Sequence, residues 1–118
     1  MGIKSYKELE VWKKGIENVD LVYEMTKSFP ADERFGLCSQ MQREAASIPV
    51  NVAEGFARQH TKEFRQFCFV ARGSCAELET LALIARDRGY VEVGAFERLG
   101  EMLDHESRML SSLTRRLH

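Results

Sequence analysis

Between residues 40 and 58 the chain reads QMQREAASIPVNVAEGFAR, and two seams run through this stretch at helical spacing. Cys38, Met41, Ala45, Ile48 and Val52 recur at steps of 3, 4, 3 and 4, which places them on one apolar stripe of a helix. Beside them Gln40, Glu44, Ser47, Asn51, Glu54 and Arg58 recur at steps of 4, 3, 4, 3 and 4, a second and wholly polar stripe. A proline at 49 and a glycine at 55 sit inside the pattern. A chain with such a helix must find apolar partners for one face and polar partners or solvent for the next.

Three further helices supply those partners. The first is predicted over about residues 6–28, opened by Ser5 and Glu8 in the spacing of a capping box and lined toward the core by Trp12, Ile16, Val19, Tyr23 and Thr26. Pro30 ends it, because the residue before a proline is pushed out of the helical region. The second spans about 33–58, with a local kink expected at Pro49 and Gly55 weakening its last turns. The third spans about 62–88, with Thr61 as N-cap and Gly89 just past its end. Its seam is Phe64, Phe67, Ala71, Ser74, Leu78, Leu81 and Ala85. The fourth spans about 93–117, and in its seam of Phe96, Leu99, Leu103, Glu106, Leu110, Leu113 and Leu117 only Glu106 is charged. Four amphipathic helices with short connections predict an all-α, antiparallel up-down-up-down four-helix bundle. At 118 residues this fits a single domain over 1–118, large enough to bury roughly two-thirds of its unfolded surface without disulfides or metal.

The longest apolar runs, 67–71 and 81–85, are five residues each, far short of the roughly 20 a membrane span requires. The N-terminal residues have no apolar core of a signal peptide. A cytoplasmic location without membrane contact is therefore expected. Cys38, Cys68 and Cys75 form no Cys-x-x-Cys and sit in apolar helical surroundings, which fits small core side chains in a reducing compartment.

Helix 62–88 carries more apolar surface than one bundle can bury. Beyond its seam it holds Cys68, Phe69, Val70, Leu83 and Ile84, where the edge of a monomeric bundle should show only about a 100° stripe. Phe69 and Leu83 are accordingly expected in an oligomer interface.

The ordered pieces Y-x-x-L-x-V-W at 6–12, F-P-x-x-E-R-F-G-L at 29–37, Q-x-x-R-x-A-x-S-I-P-x-N-V-A-E-G at 40–55, K-E-F at 62–64, G-S-x-x-E-L-E at 73–79 and G-Y at 89–90 resemble the 23S rRNA-intervening-sequence proteins, also called the four-helix bundle protein family. Tyr6, Val52 and Gly15 depart from the family's more usual Phe, Ile and Ala. The resemblance implies a left-handed bundle that assembles into a ring, typically a homopentamer. It also implies coding within, or kinship with, an insertion in a large-subunit ribosomal RNA gene. A further implied relative is the accessory variability determinant of diversity-generating retroelements, a basic pentamer that works with nucleic acid. The present chain has a net charge of −1, so no whole-molecule grip on nucleic acid is expected.

No catalytic residues and no cofactor are expected. No Glu-x-x-His occurs among His60, His105 and His118, whereas a di-iron bundle site uses two such motifs. No P-loop or dinucleotide fingerprint is present, so neither a metal nor a nucleotide site is assigned. Ser47, Asn51 and Glu54 adjoin the core seam around Pro49 and read as a structural polar network, with a solvated face as the plain alternative. In an up-down-up-down bundle the start of the first helix, the second-to-third turn and the end of the fourth helix meet. That end gathers Lys4, Lys7, Arg58, His60, Lys62, Arg65, Arg115, Arg116 and His118. From these, Arg58, Lys62, Arg65, Arg115 and Arg116 are the candidate nucleic-acid-binding residues, against ordinary solvated charge as the plain alternative.

The expected function is that of a non-enzymatic, ring-forming homo-oligomer that binds RNA or DNA through a basic face. The alternatives are an assembly that is purely structural or has a protein partner, and an enzyme whose site the sequence does not reveal.

Overall fold

The structure, a computed structural model, describes residues 2–117. Four helices carry the fold: α1 (Glu10–Thr26), α2 (Leu37–Ala57), α3 (Thr61–Asp87) and α4 (Val93–Arg116). Two single 3-10 turns, Tyr6–Glu8 and Ala31–Glu33, precede α1 and α2. No strand occurs among the described residues.

The capping box forms, but on the 3-10 turn rather than on α1. Ser5 Oγ accepts from the Lys7 amide at 3.1 Å, and the Glu8 carboxylate accepts from the Ser5 amide at 3.1 Å. Leu9 then takes an extended conformation and α1 starts one residue later. α2 begins at Leu37 rather than near 33, because 31–33 close their own turn and the Glu33 carboxylate accepts from the Leu37 amide at 3.1 Å. Thr61 is the first residue of α3, and the residue before it, His60, donates no side-chain cap. The far end of α3 is closed as a Schellman motif: Tyr90 N donates to Ala85 O at 3.0 Å and Gly89 N to Arg86 O at 2.9 Å. Gly89 sits at φ +78° there, which a residue without a Cβ adopts without strain.

Each successive pair of helices runs antiparallel. From α1 to α2, Gly15 meets Pro49 while Thr26 meets Cys38 and Gln42. From α2 to α3, Ser47 meets Ser74 and Gly55 meets Phe67. From α3 to α4, Arg65 meets Thr114 and Arg86 meets Phe96. α1 also packs on α4, whereas α1 and α3 stand diagonally across the core, as do α2 and α4. The helices thus stand at four corners in chain order, in a body of 47 × 23 × 19 Å.

The core runs along the axis between them. Met41, Ile48 and Val52 of α2, Leu78 of α3 and Leu99 and Leu110 of α4 are fully buried, each contributing about 1.5–3 kcal/mol of apolar transfer. The α1 stripe differs from expectation by one position. Val11, Gly15, Asn18, Val22 and Met25 face inward, Trp12 and Val19 are half-buried, and Ile16 and Tyr23 are exposed. The reason lies at Gly15: the helices approach so closely that a Cβ there would stand 3.1 Å from Pro49 Cβ. α2 runs unbroken through Pro49, whose ring fills that contact.

The core also takes in the polar residues Asn18, Thr26, Ser74, Glu106 and Thr114. Asn18 and Glu106 are both 0% exposed, and all four of their side-chain polar atoms lack a hydrogen-bond partner among the described residues. Burial, with the Glu17 carboxylate nearby, pushes the Glu106 carboxyl up to about 8 despite Lys14. It is therefore a neutral acid below that pH.

Candidate functional site

The α2–α3 connection is three residues long, Arg58 to His60, and Gln59 holds φ +55° to make the turn. This turn meets the C-terminal end of α4: Arg65 Nε donates to Thr114 O at 3.0 Å. The N-terminal segment joins them, with Ile3 and Lys4 lining a cleft beside Phe56, His60 and Phe64, and Ile3 reaching Leu113 and Arg116 in the next cleft. One end of the molecule therefore holds Lys4, Arg58, His60, Lys62, Arg65, Arg115 and Arg116. His118 lies outside the described residues.

The five candidate cations are not equivalent. Arg58 is paired with Glu54 at 2.9 Å and Glu63 at 3.2 Å, and its guanidinium stacks on Phe67 at 5.1 Å. The bond to Glu54 raises its already high pKa further. Arg65 is committed to Thr114 and lies over the Phe69 ring at 4.9 Å. Lys62, Arg115 and Arg116 are exposed and have no ion pair among the described residues. Arg115 makes only an i,i+4 bond to Ser111 Oγ at 3.1 Å.

Acidic groups at this end are already engaged. Glu54 and Glu63 hold Arg58, Glu8 accepts the Ser5 amide, and Glu10 pairs with Lys13 at 3.5 Å. Lys62 also stands in the first turn of α3, where the helix dipole disfavours a cation. An anion brought here meets three uncompensated charges and loses no existing pair.

The polar stripe of α2 divides into two parts. Ser47 Oγ and Ser74 Oγ share a hydrogen bond across α2 and α3, and Asn51 Nδ2 donates to Ser47 O at 2.7 Å. Glu54 stands apart from these, exposed and bonded to Arg58. One turn before Ser47, partial burial and the neighbouring Glu77 carboxylate push the Glu44 carboxyl up. Ser74 and Glu77, both within the G-S-x-x-E-L-E motif, form the α3 half of this seam; their pairing with α2 was not legible in the sequence, because it depends on the register between helices.

Phe69 and Leu83 lie on the side of α3 next to α4, 36% and 39% exposed, with Phe69 between Arg65 and Arg72. Sequence patterning did not flag Phe35, which is 89% exposed just before α2. Cys68 and Cys75 are buried and their thiols are pushed up to about 12 by desolvation, so neither is a ready nucleophile. Among the described residues no group of three His, Cys, Asp or Glu side chains is placed to hold a metal ion. No helix among them is long and apolar enough to cross a membrane.

Four packed helices around one apolar core, with a cation cluster at one end, define an all-α four-helix bundle protein. The model of the family described as 23S rRNA-intervening sequence protein matches residues 7–112, and the chain belongs to that family. A solved structure of a protein of unknown function from the S23 ribosomal protein family of Bacteroides thetaiotaomicron VPI-5482 is similar. It superposes with a TM-score of 0.81 at 19% identity, over 89% of this chain and 95% of that one, which supports the fold. A search of curated proteins gave no match.

Proposed function

We propose that this chain is a non-enzymatic, single-domain, left-handed bundle that assembles in the cytoplasm into a ring, of five copies as its resemblance to the 23S rRNA-intervening-sequence proteins implies. The ring binds RNA or DNA through the end that carries Lys62, Arg115 and Arg116. The observation that carries the reading is the state of that end: three exposed cations without acidic partners, beside Glu54 and Glu63, which are already held by Arg58.

A cyclic ring points the same end of every bundle the same way. Three free cations per copy are then repeated around one face, and a weak contact gains strength by avidity. The contacts are ionic and directed at phosphate, so sequence preference is small. Arg58 and Arg65 act differently from the other three. They fix the α2–α3 turn and tie it to α4, and so hold the start of α3, with Lys62, against the end of α4, with Arg115.

The test is Arg115→Glu combined with Arg116→Glu, read by the mobility of a labelled single-stranded or duplex RNA. The expected result is loss of the shift with unchanged assembly size. Retention of full binding by this variant would overturn the assignment of the face.

A further inference from the structure

The most exposed large apolar side chain among the described residues, Phe35 at 89%, and a surface groove of about 680 Å³ lie on opposite sides of the molecule. Phe35 projects from the α1/α2 side among Tyr23, Lys27, Arg34 and Gln42. The groove runs between α3 and α4, floored by Leu83, Phe96 and Gly100 and rimmed by Glu79, Glu97, Glu101 and Asp104. α1 stands diagonal to α3 and α2 diagonal to α4, so these two sides face away from each other.

We infer that Phe35 of one copy inserts into the α3/α4 groove of a second copy of this chain, in a head-to-tail contact. The inference rests on the self-association part of the reading above and names its contact.

Charge fits the two surfaces to each other. The groove lining has four carboxylates and no base, while the Phe35 surround has Lys27 and Arg34 and no acid. Asp104 is paired with Arg108 at 3.0 Å and Lys27 with Glu24 at 3.3 Å. That leaves Glu79, Glu97 and Glu101 without an ion pair among the described residues, facing Arg34, which has none either and stacks on the Phe35 ring at 5.5 Å. Height along the bundle also matches. Tyr90 Oη donates to Glu33 Oε2 at 3.1 Å, so the α3–α4 turn, from which the groove rises, is level with the turn that carries Phe35. Two copies side by side and pointing the same way bring knob and groove together. Because knob and groove are different surfaces, the contact is heterologous. It propagates, closing into a ring if the rotation allows. Phe69, further along the same side of α3, extends the contact toward the basic end.

Complementation tests this directly. Phe35→Ser removes the knob. Gly100→Trp fills the groove, and a Cβ at Gly100 meets nothing within 4 Å, so the bundle has room for it. By sedimentation velocity the wild type should be an oligomer, and each variant alone, folded by circular dichroism, a 13.5 kDa monomer. A 1:1 mixture should form a heterodimer of twice that mass, using the one intact knob and the one intact groove. An oligomeric wild type whose two variants stay oligomeric would overturn this contact and leave self-association standing. Monomeric variants that do not pair in the mixture would overturn it as well. A monomeric wild type at every concentration would overturn both this contact and the assembly reading. If either variant fails to fold, Arg34→Glu and Glu101→Arg take their place. Each alone should dissociate the oligomer and the two in one chain should restore it, and failure of that restoration overturns the contact.

Discussion

A β-carbon on Gly55 would stand 2.6 Å from Cβ of Phe67. Gly55 is buried near the end of α2 where that helix meets α3, and Phe64 Cα would lie 3.3 Å from the same point. Both neighbours are close to backbone and cannot swing aside. Gly55→Ala should therefore destabilise the fold by up to about 2 kcal/mol: a Cβ 2.6 Å from another Cβ puts the overpacking cost in the upper part of the usual range of about 1–3 kcal/mol, and the gain in helix propensity, about 1 kcal/mol, offsets only part of it. Gly73, inside α3 with nothing within 4 Å, is the control. Gly73→Ala should stabilise by about 0.4–1 kcal/mol. Denaturant unfolding of the two variants should give opposite signs, and equal signs would remove the close approach as the reason for Gly55.

Glu106 makes stability depend on pH in a definite direction. Its carboxyl is raised from 4.5 to about 8 in the folded state, so between those values the native protein holds a proton that the unfolded chain has released. Stability then falls as pH rises through that window, by about 1.4 kcal/mol per unit at most, and levels off above it. Glu106→Gln, which cannot ionise, should match the wild type near pH 5 and melt higher than it at pH 8. Parallel melting curves for the two proteins from pH 5 to 8 would contradict this account.

Asn51 makes one hydrogen bond, to the Ser47 carbonyl in its own helix, and is only partly buried. Asn51→Leu should cost about 1 kcal/mol, the net value of a single such bond. A loss of 3 kcal/mol or more in thermal denaturation would mean that Asn51 is wired to further partners.

The four helices were legible because their apolar residues repeat at helical spacing and their connections are short. The common basic end was legible for the same reason, since antiparallel neighbours with short turns leave few ways to arrange the ends. The inward stripe of α1 was not. Trp12, Ile16, Val19 and Tyr23 outweigh Val11, Gly15, Asn18 and Val22 in hydrophobicity, yet close contact with Pro49 turns the glycine side inward. The engagement of Arg58 by Glu63 was hidden too, because it follows from the α2–α3 turn and Gln59 at φ +55°. Glu106 stood out as a break in an apolar seam, but that its carboxyl is sealed from solvent near Lys14 and Glu17 depends on α1 packing against α4.

On the proposed function, the end carrying Lys62, Arg115 and Arg116 grips a polyanion. Fluorescence anisotropy of labelled RNA with the wild-type protein, titrated from about 50 to 200 mM salt, tests it most directly. Binding is expected at the low end and should fall steeply across the range, with a linear log–log slope that reports released counterions. Absence of any binding to single-stranded or duplex RNA at about 50 mM salt, where phosphate contacts remain strong, would contradict it.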